Sequence, residues 1–223
     1  MQRPRPATRA KKFDPRLLIP AALFLALAIW IVWPSRYARV KNLDSRGTSV
    51  IAFGDSLTAG YGAEAGEDYP SQLAKRLGIA VINAGVSGDT TESALARIDA
   101  DVVARNPRIV IVGLGGNDLL QSVPIATTAA NLRAIVERIQ RAGAMVVLLG
   151  FRFPSLNADY ESMYAQLARD ERCLLVSGVL AGILTDPSLK SDEVHPNARG
   201  YALMATRIAP PLAKLIAKAD AKR

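Results

Sequence analysis

"SVIAFGDSLTAGYG", residues 49–62, decides how this chain is to be read. Four apolar residues, Val50 to Phe53, run without polar alternation into Gly54, Asp55 and Ser56. A strand with one face in water alternates apolar and polar side chains, whereas an unbroken apolar run marks a strand covered on both faces, the habit of parallel sheets. Working outward, "IAVIN" (79–83), "RIVIVGL" (108–114), "AMVVLLGF" (144–151) and "CLLVS" (173–177) supply four more such runs. Between them "YPSQLAKRL", "TESALARIDADVVARN", "IATTAANLRAIVERIQRAG" and "ADYESMYAQLARD" place apolar residues three and four apart, and "ARGYALMATRIAPPLAKLIAKA" closes the chain in the same way, with Pro210-Pro211 expected to break or kink that last helix. Alternating strands and helices predict an α/β fold, a parallel five-stranded sheet with helices on both faces. Ligands of such sheets bind outside the carboxyl ends of the strands.

Three strand ends and one late loop carry the polar residues that this rule selects. Ser56 follows the first strand in a glycine-rich turn, though position 58 is threonine, so the stretch is not a G-x-S-x-G elbow. The second strand runs into "NAGVSGDTTESALARI" (83–98), where Gly88 precedes a helix start and Asp89 with Glu92 has capping-box spacing. The third ends in "GLGGNDLL" (113–120), where Asp118 stands at the position at which a dinucleotide loop needs its last glycine, leaving Asn117 as an amide at a strand end. "SDEVHPN" (191–197) contains the chain's one histidine, His195, three residues after Asp192. These parts complement one another. Ser56 needs a base to become a nucleophile, His195 can be that base, and Asp192 can orient it. The Ser56 N–H, the Gly88 N–H and the Asn117 side chain are candidate donors to an oxyanion.

"GDSLTAGYG", "GVSGD", "GGND" and "DEVHPN" together resemble, in order, the four sequence blocks of the SGNH, or GDSL, hydrolases, and the bacterial thioesterase I, arylesterase and lysophospholipase group most of all. The resemblance spans residues 49–218. It implies a three-layer α/β/α sandwich of flavodoxin-like type, with Ser56 as nucleophile, Gly88 and Asn117 as oxyanion donors, His195 as base and Asp192 as its orienting partner. The function implied is a serine esterase forming an acyl-enzyme on a small-molecule or lipid ester. An acetylesterase acting on carbohydrate or peptidoglycan, and an inactive binding protein of the same fold, are the other readings. No cofactor is expected, and one histidine and one cysteine leave too few ligands for a metal site. Cys173 sits in an apolar run and reads as core rather than nucleophile.

The formal charge of +8 does not signal a nucleic-acid partner, because residues 1–46 hold ten Lys and Arg against two acids and the remainder is balanced at 18 of each sign. Within that basic segment "LLIPAALFLALAIWIVW" (17–33) is uncharged and as a helix would span about 26 Å, near the lower limit for a bilayer. It is longer than a signal-peptide core and ends in Trp30, Trp33, Pro34 and Arg36 with no A-x-A pattern there. Six basic residues precede it and four follow within thirteen positions, so the reading is a single-pass inner-membrane anchor, N-terminus cytoplasmic, catalytic domain periplasmic or extracellular. The expected organisation is a basic tail (1–16), a transmembrane anchor (17–33), a linker (34–48), a hydrolase domain (49–218) and a short tail (219–223).

Overall fold

The computed structural model describes residues 36–151 and 158–223. The anchor expected at 17–33 lies outside these residues. Among the described residues, no helix is long and apolar enough to cross a membrane.

The strands are β1 (Ser49–Gly54), β2 (Ile82–Gly85), β3 (Pro107–Gly113), β4 (Met145–Gly150) and β5 (Leu174–Ser177). All pair in parallel in the order β2-β1-β3-β4-β5. The helices are α1 (Ser56–Ala59), α2 (Tyr69–Leu77), α3 (Thr91–Asp101), α4 (Gly116–Leu120), α5 (Ile125–Arg141), α6 (Ala158–Asp170) and α7 (Ala198–Asp220). Helix α2 packs on α7 over one face, while α3, α5 and α6 contact one another in sequence over the other, giving three layers. Continuous apolar runs are explained by this covering: Ile109–Val112 of β3 and Met145–Leu149 of β4 expose nothing to solvent. The chain leaves β1 toward β2 and returns across it to β3, so the carboxyl ends of β1 and β3 flank the point where strand order reverses.

At that point Gly85, Gly54 and Gly113 lie in register across β2, β1 and β3. A Cβ on Gly54 would stand 2.2 Å from the Thr58 hydroxyl and 2.4 Å from the Gly113 carbonyl, and one on Gly85 would stand 2.2 Å from the Ala59 nitrogen. The glycine row is therefore a seat for α1, and it brings the helix carrying Ser56 down onto the sheet.

Several expectations are corrected. Strand β2 pairs only from Ile82, opposite Ile51, rather than from 79, because Ile79 and Val81 are spent packing on the core ahead of the ladder. Helix α3 stops at Asp101, and a 3₁₀ turn (Val103–Arg105) and Asn106 at φ 51° lead into β3. Pro210 and Pro211 do not end α7, which runs through both. Their missing N–H groups release the carbonyls of residues four earlier, and at Thr206 and Pro210 that side of the helix is open to water. The segment expected to be a linker is part of the domain from Arg36 onward. Val40 and Leu43 are buried, Lys41 N–H donates to Arg172 O at 3.0 Å, and the Asn42 amide donates to Gln140 O at 2.8 Å and Ala144 O at 3.0 Å. The last residues are also tied in: Ala219 is buried and Arg223 donates to Ser45 O at 2.8 Å.

Candidate active site

Asp55 opens α1 as its N-cap, its Oδ1 accepting from Leu57 N at 3.0 Å, and this puts Ser56 in the first turn. Burial pushes the Asp55 carboxyl from the usual 3.8 up to about 7, partly opposed by that Leu57 hydrogen bond. On the other side of the crevice, Asn197 caps α7 and its amide donates to Ser188 O at 3.0 Å. Ser191 N–H donates to His195 O at 2.9 Å, closing the loop that holds the histidine. Asp192 Oδ1 accepts from the backbone N–H groups of Val194 and His195 at 2.9 and 2.8 Å. Partial burial would raise the Asp192 carboxyl, but these donors and the imidazole outweigh it and hold the group below its usual range.

The structure joins three of the residues singled out from sequence. His195 Nδ1 lies 2.7 Å from Asp192 Oδ2, and Nε2 lies 3.0 Å from Ser56 Oγ. An ionised carboxylate only accepts, so Nδ1 carries the proton and the lone pair of Nε2 faces the serine hydroxyl. The Tyr61 ring lies tilted by 45° against the imidazole at 4.5 Å between centroids, and Tyr201 OH donates to Tyr61 O at 2.7 Å to fix that segment.

Gly88 and Asn117 meet as a second group. Val86–Asp89 is a tight turn closed by Asp89 N–H to Val86 O at 3.2 Å, with Gly88 at its third position and φ 87°, a value L side chains resist. Nothing lies within 4 Å of where a Gly88 Cβ would be, so the turn borders open space. Val86 N–H donates to Gly54 O at 3.0 Å, linking the turn to the end of the strand that leads into Ser56. Asn117 sits in the first turn of α4 and donates one amide hydrogen to Asp89 O at 2.8 Å. Its second N–H is left for a ligand.

Sequence reasoning missed the supports. Asp89 is not the cap of α3: Thr90 is, in a reciprocal capping box with Ser93. The Asp89 carboxylate instead binds Arg97 and accepts from Ser93 Oγ. Asp118, 1% exposed, accepts from Thr91 N at 2.9 Å and from the Thr91 hydroxyl, pinning α4 to the start of α3. Their only signal was polarity beside an apolar run. Cys173 lies at the opposite edge, just before β5, and burial pushes its thiol up to about 12, which suits packing and not nucleophilic attack. Beyond β4 and β5, a cavity of about 460 Å³ is lined by Gly150, Phe151, Tyr164, Ser177 and Gly178 among others.

Residues 52–203 match the model of the GDSL-like lipase/acylhydrolase family. The chain belongs to that family. Members similar to it include the thioesterase 1/protease 1/lysophospholipase L1 of Escherichia coli K12, 31% identical over 75% of this chain and 85% of that protein. The esterase TesA of Pseudomonas aeruginosa is 28% identical over 87% of this chain and 99% of its own. Among solved structures, the esterase EstA from Pseudoalteromonas sp., inhibited by monoethylphosphonate, superposes with a TM-score of 0.69 at 28% identity, covering 76% of this chain and 98% of EstA. This GDSL-family chain is thus a hydrolase acting on ester bonds, and its sheet is that of the SGNH hydrolases.

Proposed function

We propose that the protein is a serine esterase that works through an acyl-enzyme, with Ser56 as nucleophile, His195 as general base and acid, and Asp192 orienting the imidazole. The observation that carries this is the relay from Ser56 Oγ to His195 Nε2 at 3.0 Å and from Nδ1 to Asp192 at 2.7 Å. Ser56 Oγ attacks the carbonyl carbon while its proton passes to Nε2, and the carbonyl electrons move to oxygen. The Gly88 N–H and the free Asn117 amide hydrogen, with the Ser56 N–H, are the donors for that oxyanion. Collapse expels the alcohol or thiol, which takes the proton from His195. Water, activated by the same base, then releases the acid and restores the serine. Inhibition of the similar esterase EstA by monoethylphosphonate is in keeping with nucleophilic attack of this kind. The test is covalent: a fluorophosphonate should label Ser56 in the native chain and nothing in Ser56→Ala, and labelling of another residue would remove the assignment.

The large apolar side chains that are exposed among the described residues are Tyr61 and Val86, on the segments that follow α1 and β2, and Leu120, at the end of α4. Apolar surface beside the site, from Tyr61 against the imidazole and Val86 at the start of the Gly88 turn, supports an acyl or aryl ester of some length over an acetylated sugar. A series of p-nitrophenyl esters from acetate to palmitate measures this; hydrolysis confined to acetate would favour the acetylesterase reading.

We further propose that residues 17–33 are an uncleaved inner-membrane anchor with the catalytic domain on the periplasmic or extracellular side. Support comes from the uncharged run and its basic flanks. Protease added to intact spheroplasts should digest the domain, and a protected domain would refute the topology. Because the packed domain begins at Arg36, removing residues 1–35 should release a soluble esterase, whereas removing 1–46 would also strip Val40 and Leu43 from the core.

A further inference from the structure

Arg97, on α3, touches none of the reacting groups, yet it holds the elements that carry them. Its Nε binds Asp89 Oδ2 at 2.6 Å, Nη1 binds Asp101 Oδ2 at 2.8 Å and Ala84 O at 3.0 Å, and Nη2 donates to Gly54 O at 2.9 Å. The guanidinium lies 4.4 Å over the Phe53 ring. Its side chain is 18% exposed and that of Asp89 8%, so the pair is largely shielded from water. Gly54 ends the nucleophile strand, Ala84 belongs to β2, and Asp89 ends the turn that presents Gly88. One rigid, planar group therefore fixes the distance between the serine side and the donor side of the crevice. The same Gly54 oxygen accepts from Val86 N–H, at the start of the turn, and Asp89 O accepts from Asn117. Losing Arg97 would leave a buried Asp89 carboxylate without its cation, and the turn would move to hydrate it.

We infer that Arg97 is a positioning residue for oxyanion stabilisation, setting the Val86–Asp89 turn and, through Asp89 O, the Asn117 amide relative to Ser56. This rests on the donor roles proposed above for Gly88 and Asn117. A lysine cannot replace it, since a single ammonium cannot reach two backbone carbonyls and a carboxylate in one plane.

The test compares Arg97→Met and Arg97→Lys with Asp101→Asn in the full chain, using p-nitrophenyl acetate and the rate of phosphonylation by a fluorophosphonate. A displacement on the order of 1 Å at the reacting centre lowers rate by about 100-fold. Arg97→Met should lose about that factor in kcat and in phosphonylation with KM within about twofold, because the misplaced donors act on the transition state. Arg97→Lys should lose at least tenfold while its melting temperature stays close to native. Asp101→Asn removes the charge only from the outermost contact, and from its pairing with Arg105, and should lower the melting temperature with kcat kept. Combining Arg97→Lys with Asn117→Ala should cost less than the product of the two separate losses, since both act through one set of donors. A folded Arg97→Lys with native kcat, or losses that multiply fully in the double variant, would overturn the inference. If Arg97→Met does not fold, the lysine variant and the double variant decide. Should Asn117→Ala itself keep native kcat, the donor assignment fails, and that result is separate from any result at Arg97.

Discussion

The two edges of the sheet are built on opposite principles. At the carboxyl edge, Asp55, Ser56, Asp89 and Asp118 are buried polar groups, Gly88 and Gly115 hold positive φ, and Tyr61, Val86 and Leu120 are left facing water. At the amino edge, Val40 and Leu43 are packed away, Asn42 closes one carbonyl at the end of α5 and one just before β4, and the raised Cys173 thiol stays protonated. The same five strands serve both. One edge concentrates groups whose burial costs free energy unless each finds a partner, and the other recovers stability by ordinary packing. Reactive groups are thereby tolerated because the chain is closed elsewhere. Substitutions should separate along this axis, lowering rate at one edge and stability at the other.

The largest expected effect lies at the carboxyl edge. Ser56→Ala and His195→Ala should each lower kcat by about 10⁴-fold or more, with a folded chain by circular dichroism. Turnover persisting in the serine variant would break the contrast outright. Asn117→Ala should lower kcat by roughly 100- to 1,000-fold, the loss of one oxyanion donor. If KM rose and kcat held, the amide would bind the ground state instead.

At the amino edge Leu43→Ala should leave kcat untouched and cost about 2–5 kcal/mol in urea denaturation, because a fully packed side chain is replaced by a cavity. A large fall in kcat at a temperature where the variant stays folded would show that the edges are coupled after all.

The sequence revealed the residues whose roles follow from their own neighbourhood. Strands β3 and β4 are covered on both faces and so read as unbroken apolar runs, while β2, half covered at an edge, pairs three residues later than its apolar run begins. Ser56, His195 and Asp192 were legible because each sits at a turn whose residue types are unusual together. Arg97 was not, because on α3 it has the spacing of an ordinary surface arginine, and its partners lie up to 43 positions away. Asp118 meets Thr91 across 27 positions for the same reason. The segment from Arg36 reads as linker because Tyr37, Val40 and Leu43 alone carry its apolar side, too few to show a period.

The smallest expected effect concerns Asp55, where the carboxyl edge departs from its own rule by burying an acid with few donors. Its folded value is raised from 3.8 to about 7, so the folded protein binds more protons than the unfolded chain between those limits. Stability from this residue is therefore fully present below about pH 4 and is lost as pH rises to about 7, after which the deficit is constant. A rise of that size corresponds to at most about 4 kcal/mol, and relaxation around the charge reduces what is felt to about 2 kcal/mol. Asp55→Asn keeps an oxygen to accept from Leu57 N–H and removes the charge. Relative to the native chain, it should gain about 2 kcal/mol between pH 4 and pH 8 in urea denaturation, and it should be near parity at pH 4. A difference between the two chains that stays flat with pH would mean that Asp55 ionises without penalty. The carboxyl edge would then be better solvated than its burial implies, and the contrast between the edges would have to rest on rate alone.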